Sequence, residues 1–180
     1  YPADPITVVP EGVDGEVFKP SGKTIQEAGG KFTFAIFGRW EPRKATTEMI
    51  QAFLEEFSNG EPVELILSVD NQFARDGMQT TEERLSHYGF NDPRLKVIHF
   101  PDREEYVNLL QSVNVFVSCS RSEGWNLPLL EAMACGTPSI YSNASGQLEF
   151  AEGRGLPVKI KGTIPAIGFN DCGDWYEPDF

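Results

Sequence analysis

Short apolar runs separated by helical spacings make up most of this sequence. The runs are rich in β-branched and aromatic residues, which predicts buried strands at 31–37, 63–69, 95–100, 113–117, 138–141 and 155–160. Between the runs, apolar spacing and helix stops predict helices at 50–57, 81–88, 106–113 and 127–135, with a further helix beginning at 145. Strands that alternate with helices form a parallel sheet covered by helices, so the pattern predicts an α/β fold.

Charged residues follow directly after two of the predicted strands. Arg39, Arg43 and Lys44 come within a few positions of the end of the first strand, and Glu123 follows the fourth. Ligands of open parallel sheets bind beyond the carboxyl ends of the strands, so we expect these side chains to line one crevice. Taken alone, the basic loop is also compatible with a solvated surface turn.

The segment 122–138 joins a loop glutamate to a short helix. Pro128 suits a first helical turn, because its missing N–H would have no partner there, and Gly136 stops the helix. Glu123 is then predicted in the loop and Glu131 in the first turns of the helix. Free backbone N–H groups between them, at the positive end of the helix dipole, could bind a diphosphate. The spacing alone leaves a second interpretation open, in which Glu131 only complements the dipole and Glu123 is a solvated loop residue.

Composition narrows the classes of function. The 180 residues suit a single domain with a core of ordinary size. The formal net charge of −12 argues against binding to nucleic acid or to an anionic membrane surface, whereas a small anionic ligand held by local basic groups is compatible with it. No apolar run approaches the roughly 20 residues of a membrane span, and no signal-peptide pattern opens the sequence.

Two further features bear on the setting of the protein. Its cysteines, Cys119, Cys135 and Cys172, are odd in number and lack the spacing of metal ligands, which indicates reduced thiols and a cytoplasmic location. The first residue is Tyr1 rather than methionine, so we expect the sequence to be a piece of a longer protein.

Three stretches resemble one enzyme family. The string SEGWNLPLLEAMACGTP at 122–138 resembles the E-x7-E motif of retaining, nucleotide-sugar-dependent glycosyltransferases with the GT-B fold, in particular family 4. The loop at 38–44 resembles the family's G-R-x-x-x-x-K element, with Arg39 and Lys44 at the matching positions. The segment at 8–20 resembles the connector P-x-G-V-D-x-x-x-F-x-P, which leads into the C-terminal domain of these enzymes.

The resemblance implies a Rossmann-like parallel sheet flanked by helices, the C-terminal half of a GT-B fold. Residues 1–30 would be the connector and entry segment, and 31–180 the nucleotide-sugar-binding domain. The segment at 174–179 is similar to the stretch shortly before the closing helices of the family. We therefore expect the closing helices and the N-terminal acceptor domain to be missing.

The resemblance also assigns roles to individual residues. Arg39 and Lys44 would bind the diphosphate, with help from backbone N–H groups around Leu127 and Leu129, and Glu131 would bind the ribose hydroxyls. Ile98 and His99 would flank the base. The donor sugar would be held by Glu123 and by the backbone of Gly124, Trp125 and Asn126. The implied catalytic residues are Glu123, Arg39 and Lys44.

One departure from the family pattern falls in the sugar-binding string. Many relatives have Phe-Gly where this sequence has Trp125 and Asn126. The larger aromatic ring and the Asn side chain could change which sugar hydroxyls are recognised.

The implied reaction is transfer of a sugar to an acceptor with retention at the anomeric carbon. The nucleoside diphosphate leaves through an oxocarbenium-like state, and the enzyme acts mainly by stabilising the leaving diphosphate. No Asp-x-Asp occurs in the sequence, so we expect neither a metal nor a cofactor. A glycan, lipid or small-molecule acceptor would bind the N-terminal half, so this chain alone is expected to bind donor without transferring sugar. Two alternatives stay open: a non-catalytic nucleotide-sugar-binding module, and another GT-B enzyme such as a sugar-nucleotide epimerase.

Overall fold

A parallel β-sheet of six strands organises the structure. The computed structural model describes residues 7–22, 30–167 and 173–180 of the chain. The strands of the sheet are β1 (Phe32–Phe37), β2 (Val63–Ser68), β3 (Leu95–Val97), β4 (Val115–Ser118), β5 (Ser139–Ser142) and β6 (Leu156–Val158). They lie in the order β3-β2-β1-β4-β5-β6, and every neighbouring pair is parallel. The predicted α/β fold is confirmed.

Helices occupy the connections between these strands, and several of them begin at residues that favour a helix N-terminus. They are α1 (Thr46–Glu56), α2 (Thr81–His87), α3 (Arg103–Ser112), α4 (Leu127–Ala134) and the short α5 (Leu148–Ala151). Thr80 and Glu83 form a reciprocal capping box at α2, and Asp102 and Glu105 form another at α3. Pro128 occupies the first turn of α4, as predicted.

The helices cover both faces of the sheet. Successive side chains of a strand point to opposite faces, and the neighbours Ile36 and Phe37 of β1 accordingly belong to different hydrophobic clusters. Ile36 shares its cluster with Ile50 of α1, whereas Phe37 shares the other with Leu110 of α3 and Leu129 of α4. The sheet is therefore wound on both sides, as the Rossmann-like prediction requires.

The direction of the strand order reverses at β1. From β1 the chain moves outward to β2 and β3, then returns to the other side of β1 and moves outward through β4, β5 and β6. In open α/β sheets, the loops on the two sides of such a reversal separate and leave a crevice at the carboxyl ends of the strands. The loops after β1 and β4 border this crevice, and they carry the basic residues and the loop glutamate that the sequence singles out.

A second, smaller sheet departs from the predicted pattern. β7 (Ile160–Pro165) and β8 (Asp174–Pro178) pair in antiparallel fashion. The apolar run at 155–160 predicts one strand, but the structure divides it between β6 and the first residue of β7. The backbone N–H of Tyr176 on β8 donates to the carbonyl of Arg121 at 3.1 Å, so this sheet lies against the loop after β4.

Several predicted boundaries shift for local reasons. The strand predicted to continue to Phe100 ends at Val97, and Phe100 itself adopts a left-handed φ of 34°. Val113, predicted as a strand residue, follows α3, because its N–H donates to the carbonyl of Leu109 at 3.2 Å. The helix predicted from Ser145 begins only at residue 148, because Ser145 has a left-handed φ of 62°.

The described part of the predicted connector contributes to the core. Phe18 is 5% exposed and packs edge-on against Tyr106 of α3, with 6.2 Å between ring centroids. Residues 1–6 and 23–29 of the connector lie outside the described residues.

The cysteines in the described part of the chain are buried thiols. Cys119 and Cys135 form no disulfide, and Cys172 lies outside the described residues. Among the helices of the described ranges, none has the length and apolar character needed to cross a membrane.

Candidate functional site

Two cations from the loop after β1 hold one carboxylate from the loop after β4. Lys44 Nζ lies 2.5 Å from Glu123 Oε1, and Arg43 Nη1 lies 3.0 Å from Glu123 Oε2. The Glu123 side chain is only 7% exposed. The interpretation of Glu123 as a solvated loop residue is therefore wrong, and the structure instead places it in an ion cluster at the crevice.

The shape of the loop after β1 brings its cations to this position. Gly38 has a φ of 136°, which a residue with a Cβ rarely adopts. Pro42–Lys44 then form one turn of 3₁₀ helix, closed by the N–H of Ala45, which donates to Pro42 at 3.2 Å. Ala45 is itself left-handed, with a φ of 53°, and leads directly into α1. The chain thus reverses sharply between β1 and α1, with Arg43 and Lys44 in the reversal.

The charges of the cluster determine the ionisation of Glu123. Burial favours the neutral acid, but the positive charges of Lys44 and Arg43 outweigh it and lower the pKa of Glu123 below its ordinary value. Glu123 is therefore a carboxylate at neutral pH. Arg43 Nη2 also lies 3.7 Å from Glu41 Oε2, and Glu41 pairs with Arg39 as well. Three cations thus face two carboxylates, so the cluster keeps one net positive charge and can accept a further anion.

Arg39 lies at the mouth of the same crevice but does not pair with Glu123. Its Nε lies 2.9 Å from Glu41 Oε1, and its guanidinium lies 5.8 Å from the ring centroid of Phe73. Arg39 and Lys44 also line a small cleft together with Ser120. The Arg39 side chain is 51% exposed, so it is free to turn toward a ligand in the crevice.

Arg121 fastens the basic turn to the loop after β4. Its backbone N–H donates to the carbonyl of Arg43 at 2.8 Å, and its Nη1 donates to the carbonyl of Pro42. Its Nη2 lies 2.6 Å from Glu48 Oε1 on α1. No sequence motif singles out Arg121, because its partners, two backbone carbonyls and the Glu48 carboxylate, lie far from it in the sequence.

The N-terminus of α4 offers fewer free donors than predicted. The N–H of Leu129 donates to the carbonyl of Asn126 at 3.1 Å, and Pro128 has no N–H. The helix begins with a tight turn that engages the Leu129 N–H, so a phosphate bound there would share this donor with the Asn126 carbonyl. Leu127, the other residue predicted there, is 42% exposed at the start of the helix.

The side chain of Asn126 is directed into the protein. Asn126 adopts a left-handed φ of 77° and is 5% exposed. Its Nδ2 donates to Ser118 Oγ at 2.9 Å and to Gln147 Oε1 at 2.6 Å. The sequence predicted that this side chain could change which sugar hydroxyls are recognised. Its amide nitrogen instead donates to two acceptors in the interior of the protein. The neighbouring Trp125 ring packs on Phe150, with 5.5 Å between centroids.

Glu131 is paired with a tyrosine rather than with a cation. Tyr106 Oη on α3 donates to Glu131 Oε2 on α4 at 2.7 Å. Partial burial raises the pKa of Glu131, although the Tyr106 hydroxyl and the charge of Arg103 oppose the shift. The second carboxylate oxygen is the one available to a ligand hydroxyl. The two glutamates of the string thus have different surroundings, and each is held by its own partner.

The predicted base-flanking residues follow β3. The N–H of Ile98 donates to Leu67 at 2.9 Å and so continues the pairing with β2. His99 Nδ1 lies 2.6 Å from Asp70 Oδ2, and His99 Nε2 lies 2.8 Å from Glu82 Oε1. The hydrogen bond to Asp70 is the main cause that raises the pKa of His99. Either ring nitrogen would have to leave a carboxylate before it could contact a base.

Asp70, Glu82 and His99 are also a candidate metal cluster, since their ligand atoms all lie within 4.8 Å of one another. Each nitrogen of the ring, however, faces a different carboxylate. This arrangement is that of an imidazolium bridging two acids. A metal ion would need the three ligand atoms to converge on one point.

Most of the chain, including the loops that border this crevice, matches a known protein family. Residues 18–155 match the family model described as "Glycosyl transferases group 1". The chain belongs to this family. The match includes the basic turn, Glu123 and Glu131.

Relatives of the chain carry glycosyltransferase names. A D-inositol 3-phosphate glycosyltransferase of Segniliparus rotundus is 28% identical over 179 residues, which is 93% of this chain and 36% of the relative. An Escherichia coli UDP-Gal:alpha-D-GlcNAc-diphosphoundecaprenol alpha-1,3-galactosyltransferase is 30% identical over 150 residues, which is 78% of this chain and 37% of the relative. The chain thus spans little more than a third of the length of these relatives.

Solved structures match the fold. The C-terminal domain of LpcC, a glycosyl transferase group 1 family protein from Francisella tularensis, superposes with a TM-score of 0.65 at 26% identity, covering 83% of this chain and 81% of that domain. Anabaena Alr3699/HepE in complex with UDP-glucose gives a TM-score of 0.66 at 24% identity, covering 82% of this chain and 42% of the Anabaena protein. The Rossmann-like, GT-B C-terminal architecture is therefore confirmed.

Proposed function

We propose that this chain is the donor-binding domain of a retaining, family 4 glycosyltransferase, which transfers a sugar from a nucleoside-diphosphate sugar to an acceptor hydroxyl. The observation that carries the proposal is the partly buried cluster of Lys44, Arg43 and Glu123 at the strand-order reversal of the sheet. It combines fixed positive charge with a carboxylate at the position where open parallel sheets bind their ligands.

The positive charges suit the diphosphate of the donor. Lys44, Arg43 and Arg39 together carry one charge more than Glu123 and Glu41 neutralise, and Arg39 stands exposed at the mouth of the crevice. Charge-assisted hydrogen bonds of this kind contribute about 1.5–3 kcal/mol each when shielded from water. Negative charge develops on the diphosphate as it leaves, so these cations stabilise the transition state more than the bound donor.

The carboxylates suit hydroxyl groups. Glu131 keeps one oxygen on Tyr106 and presents the other to the ribose, while Glu123 accepts from a hydroxyl of the donor sugar. Glu123 is a poor nucleophile because both its oxygens face cations. The role of Glu123 is therefore binding and positioning, and the acceptor oxygen attacks on the face that the diphosphate leaves.

The proposed function also includes the acceptor, the absence of a metal or cofactor requirement, and the cellular location. A glycan, lipid or small-molecule acceptor binds an N-terminal domain, and the described chain alone binds donor without transferring sugar. The reaction needs neither metal nor cofactor, because Lys44 and Arg43 supply the charge that a metal would otherwise supply. The enzyme acts in the cytoplasm, consistent with the reduced thiols Cys119 and Cys135.

Calorimetric titration tests the proposal. The chain is titrated with UDP, GDP and ADP and their glucose and mannose conjugates, with UDP-glucose first because the Anabaena neighbour was solved with it. One base is expected to bind, and Glu131→Ala and Arg39→Ala are each expected to weaken that binding about tenfold, or about 1.4 kcal/mol. Binding that neither substitution affects, or no binding of any of these compounds at millimolar concentration, would contradict it.

A further inference from the structure

The loop that carries Glu123 is held from behind by the segment that follows β5. The backbone N–H of Glu123 donates to Ser145 Oγ at 3.1 Å, and the N–H of Gly146 donates back to the carbonyl of Glu123 at 3.1 Å. A Cβ placed on Gly146 would lie only 2.0 Å from the carbonyl oxygen of Gly124, so the two chain segments are in direct backbone contact. Ser145 reaches this position through a left-handed φ of 62°.

The same segment also holds the other end of the loop. Gln147 is fully buried and accepts from Asn126 Nδ2 through its Oε1 at 2.6 Å. Its own Nε2 donates to the carbonyl of Ser142 at 2.5 Å and to Ser142 Oγ at 2.8 Å. Ser142 Oγ in turn donates to the carbonyl of Ser120 at 2.5 Å. The amide of Gln147 thus connects both ends of the stretch 120–126 to the end of β5.

The hydrogen bonds of this network lie in the interior of the domain. The residues of the network are at most 7% exposed: Ser118, Ser120, Asn126, Ser142 and Gln147. A buried amide that loses a partner pays the full desolvation penalty of the unpaired group, so such networks favour one geometry strongly over its alternatives. Here that geometry includes the left-handed backbone of Asn126, from which α4 starts.

The basic turn is fastened by a different set of contacts. Arg43 and Lys44 are held by Arg121, by the side chain of Glu123 and, through Arg43 Nη1 at 2.5 Å, by the carbonyl of Ser122. No hydrogen bond of the described residues joins Gln147 to that turn. The two sets of contacts meet at residues 121–123: one set places the cations Arg43 and Lys44, and the other holds the backbone from Glu123 to Asn126 against the end of β5.

We propose that Gln147 is a positioning residue for the donor sugar. It contacts no substrate, and it acts by fixing the Glu123–Asn126 backbone against the end of β5. This inference rests on the proposed function, in which that backbone and Glu123 hold the sugar hydroxyls. It goes further by separating sugar recognition from diphosphate recognition: loss of Gln147 should weaken binding of the nucleotide sugar more than binding of the nucleoside diphosphate.

The test compares Gln147→Met with Thr137→Val. Methionine keeps the length of the side chain and removes its hydrogen bonds. Thr137 is a matched control, since it is 3% exposed and donates through Oγ1 to the Leu110 carbonyl, a contact outside the Gln147 network. For each protein, calorimetry gives the ratio of the dissociation constant of the nucleotide sugar to that of the nucleoside diphosphate. We expect Gln147→Met to raise this ratio about fivefold or more and Thr137→Val to leave it within about twofold.

A second measurement needs no ligand. Hydrogen exchange is followed for the amides of 122–126 and for the Ala45 amide of the basic turn. Gln147→Met should accelerate exchange in 122–126 by about tenfold and leave Ala45 near the wild-type rate. Asn126→Gly provides a second variant if Gln147→Met folds poorly, because glycine accepts the left-handed φ and lacks the tether.

The outcomes separate the two proposals. An unchanged affinity ratio together with unchanged exchange would overturn the role of Gln147, even if wild type binds the donor well. If wild type binds no nucleotide sugar, the proposed function fails, and exchange alone decides the tether: acceleration confined to 122–126 supports it, and equal acceleration at Ala45 overturns it.

Discussion

The ammonium nitrogen of Lys44 lies 2.5 Å from a carboxylate oxygen of Glu123, although 79 positions separate the two residues in the chain. One follows β1 and the other follows β4, which are neighbours in the sheet on the two sides of the strand-order reversal. The pair exists only because the sheet folds in this order. In the proposed function, this pair lies where the binding site of the diphosphate borders that of the donor sugar.

The pairing of Glu131 with Tyr106 predicts a measurable preference for ribose. The nucleoside diphosphate found to bind is compared with its 2′-deoxy counterpart, and wild type should prefer the ribose form by about tenfold, the value of one hydrogen bond to a carboxylate. Glu131→Gln should remove most of this preference. Tyr106→Phe should reduce it by about threefold, because the carboxylate loses its fixed orientation. Equal preference in all three proteins would show that the ribose binds elsewhere.

Because Arg121 holds the basic turn in place, we expect its substitution to lower both the stability of the domain and its affinity for a nucleoside diphosphate. Arg121→Gln cannot reach both Pro42 and Glu48, so we expect the free energy of unfolding to fall by about 1–3 kcal/mol and nucleoside diphosphate affinity to fall about tenfold. Urea unfolding and calorimetry measure the two effects. Arg154→Gln is the control, since it removes an exposed arginine whose hydrogen bond within the described residues is to a nearby carbonyl, that of Phe150. Wild-type affinity in Arg121→Gln would contradict the proposed positioning of the turn.

The ion pairs of His99 predict a dependence of stability on pH. Asp70 and Glu82 raise the pKa of His99 in the folded state above the ordinary value of 6.5. A raised pKa means that the folded state binds the proton more tightly, so this stabilisation is complete below pH 6.5 and is lost as the pH rises through the folded-state value.

Urea unfolding between about pH 5.5 and 8.5 checks this sign. Wild type should lose more stability than His99→Gln as the pH rises, so that the two curves converge at high pH. Asp70 contributes in the opposite direction: burial opposes its ionisation, but hydrogen bonds from His99 and Thr81 lower its pKa, so its stabilisation is lost at acid pH. Parallel curves for the two proteins across the range would exclude a role for a charged His99.

The fold could be predicted from the sequence because its signals are local. Apolar runs and helix stops are properties of neighbouring residues, and they predicted the strands of the parallel sheet and its helices. The antiparallel pair of β7 and β8 was missed, because β8 pairs with a strand across a connecting segment and carries no apolar alternation that sets it apart. Val113 was predicted in both a helix and a strand, because it fits the apolar pattern of each.

The site could be predicted only as far as its motifs extend. Lys44 and Glu123 belong to recognisable strings, and their meeting follows from the order of the strands. Arg43 was predicted at the crevice only as part of the basic loop, because its contact with Glu123 is distant in sequence. Arg121 was missed, because its contacts with Pro42 and Glu48 are also distant in sequence and belong to no motif. The inward direction of the Asn126 side chain was missed for a related reason. It depends on a hydrogen bond to Gln147, which follows β5 and is distant from Asn126 in the sequence.

In the proposed function, Lys44 binds the diphosphate of a nucleotide donor at the border with Glu123. The most direct measurement is the gain in affinity from a nucleoside monophosphate to the corresponding diphosphate, determined by calorimetry for wild type and Lys44→Met. Wild type should gain about tenfold or more from the second phosphate, and Lys44→Met should lose that gain while it binds the monophosphate within about twofold of wild type. If the variant keeps the full gain, or loses monophosphate and diphosphate affinity equally, Lys44 does not read the second phosphate and the account is wrong.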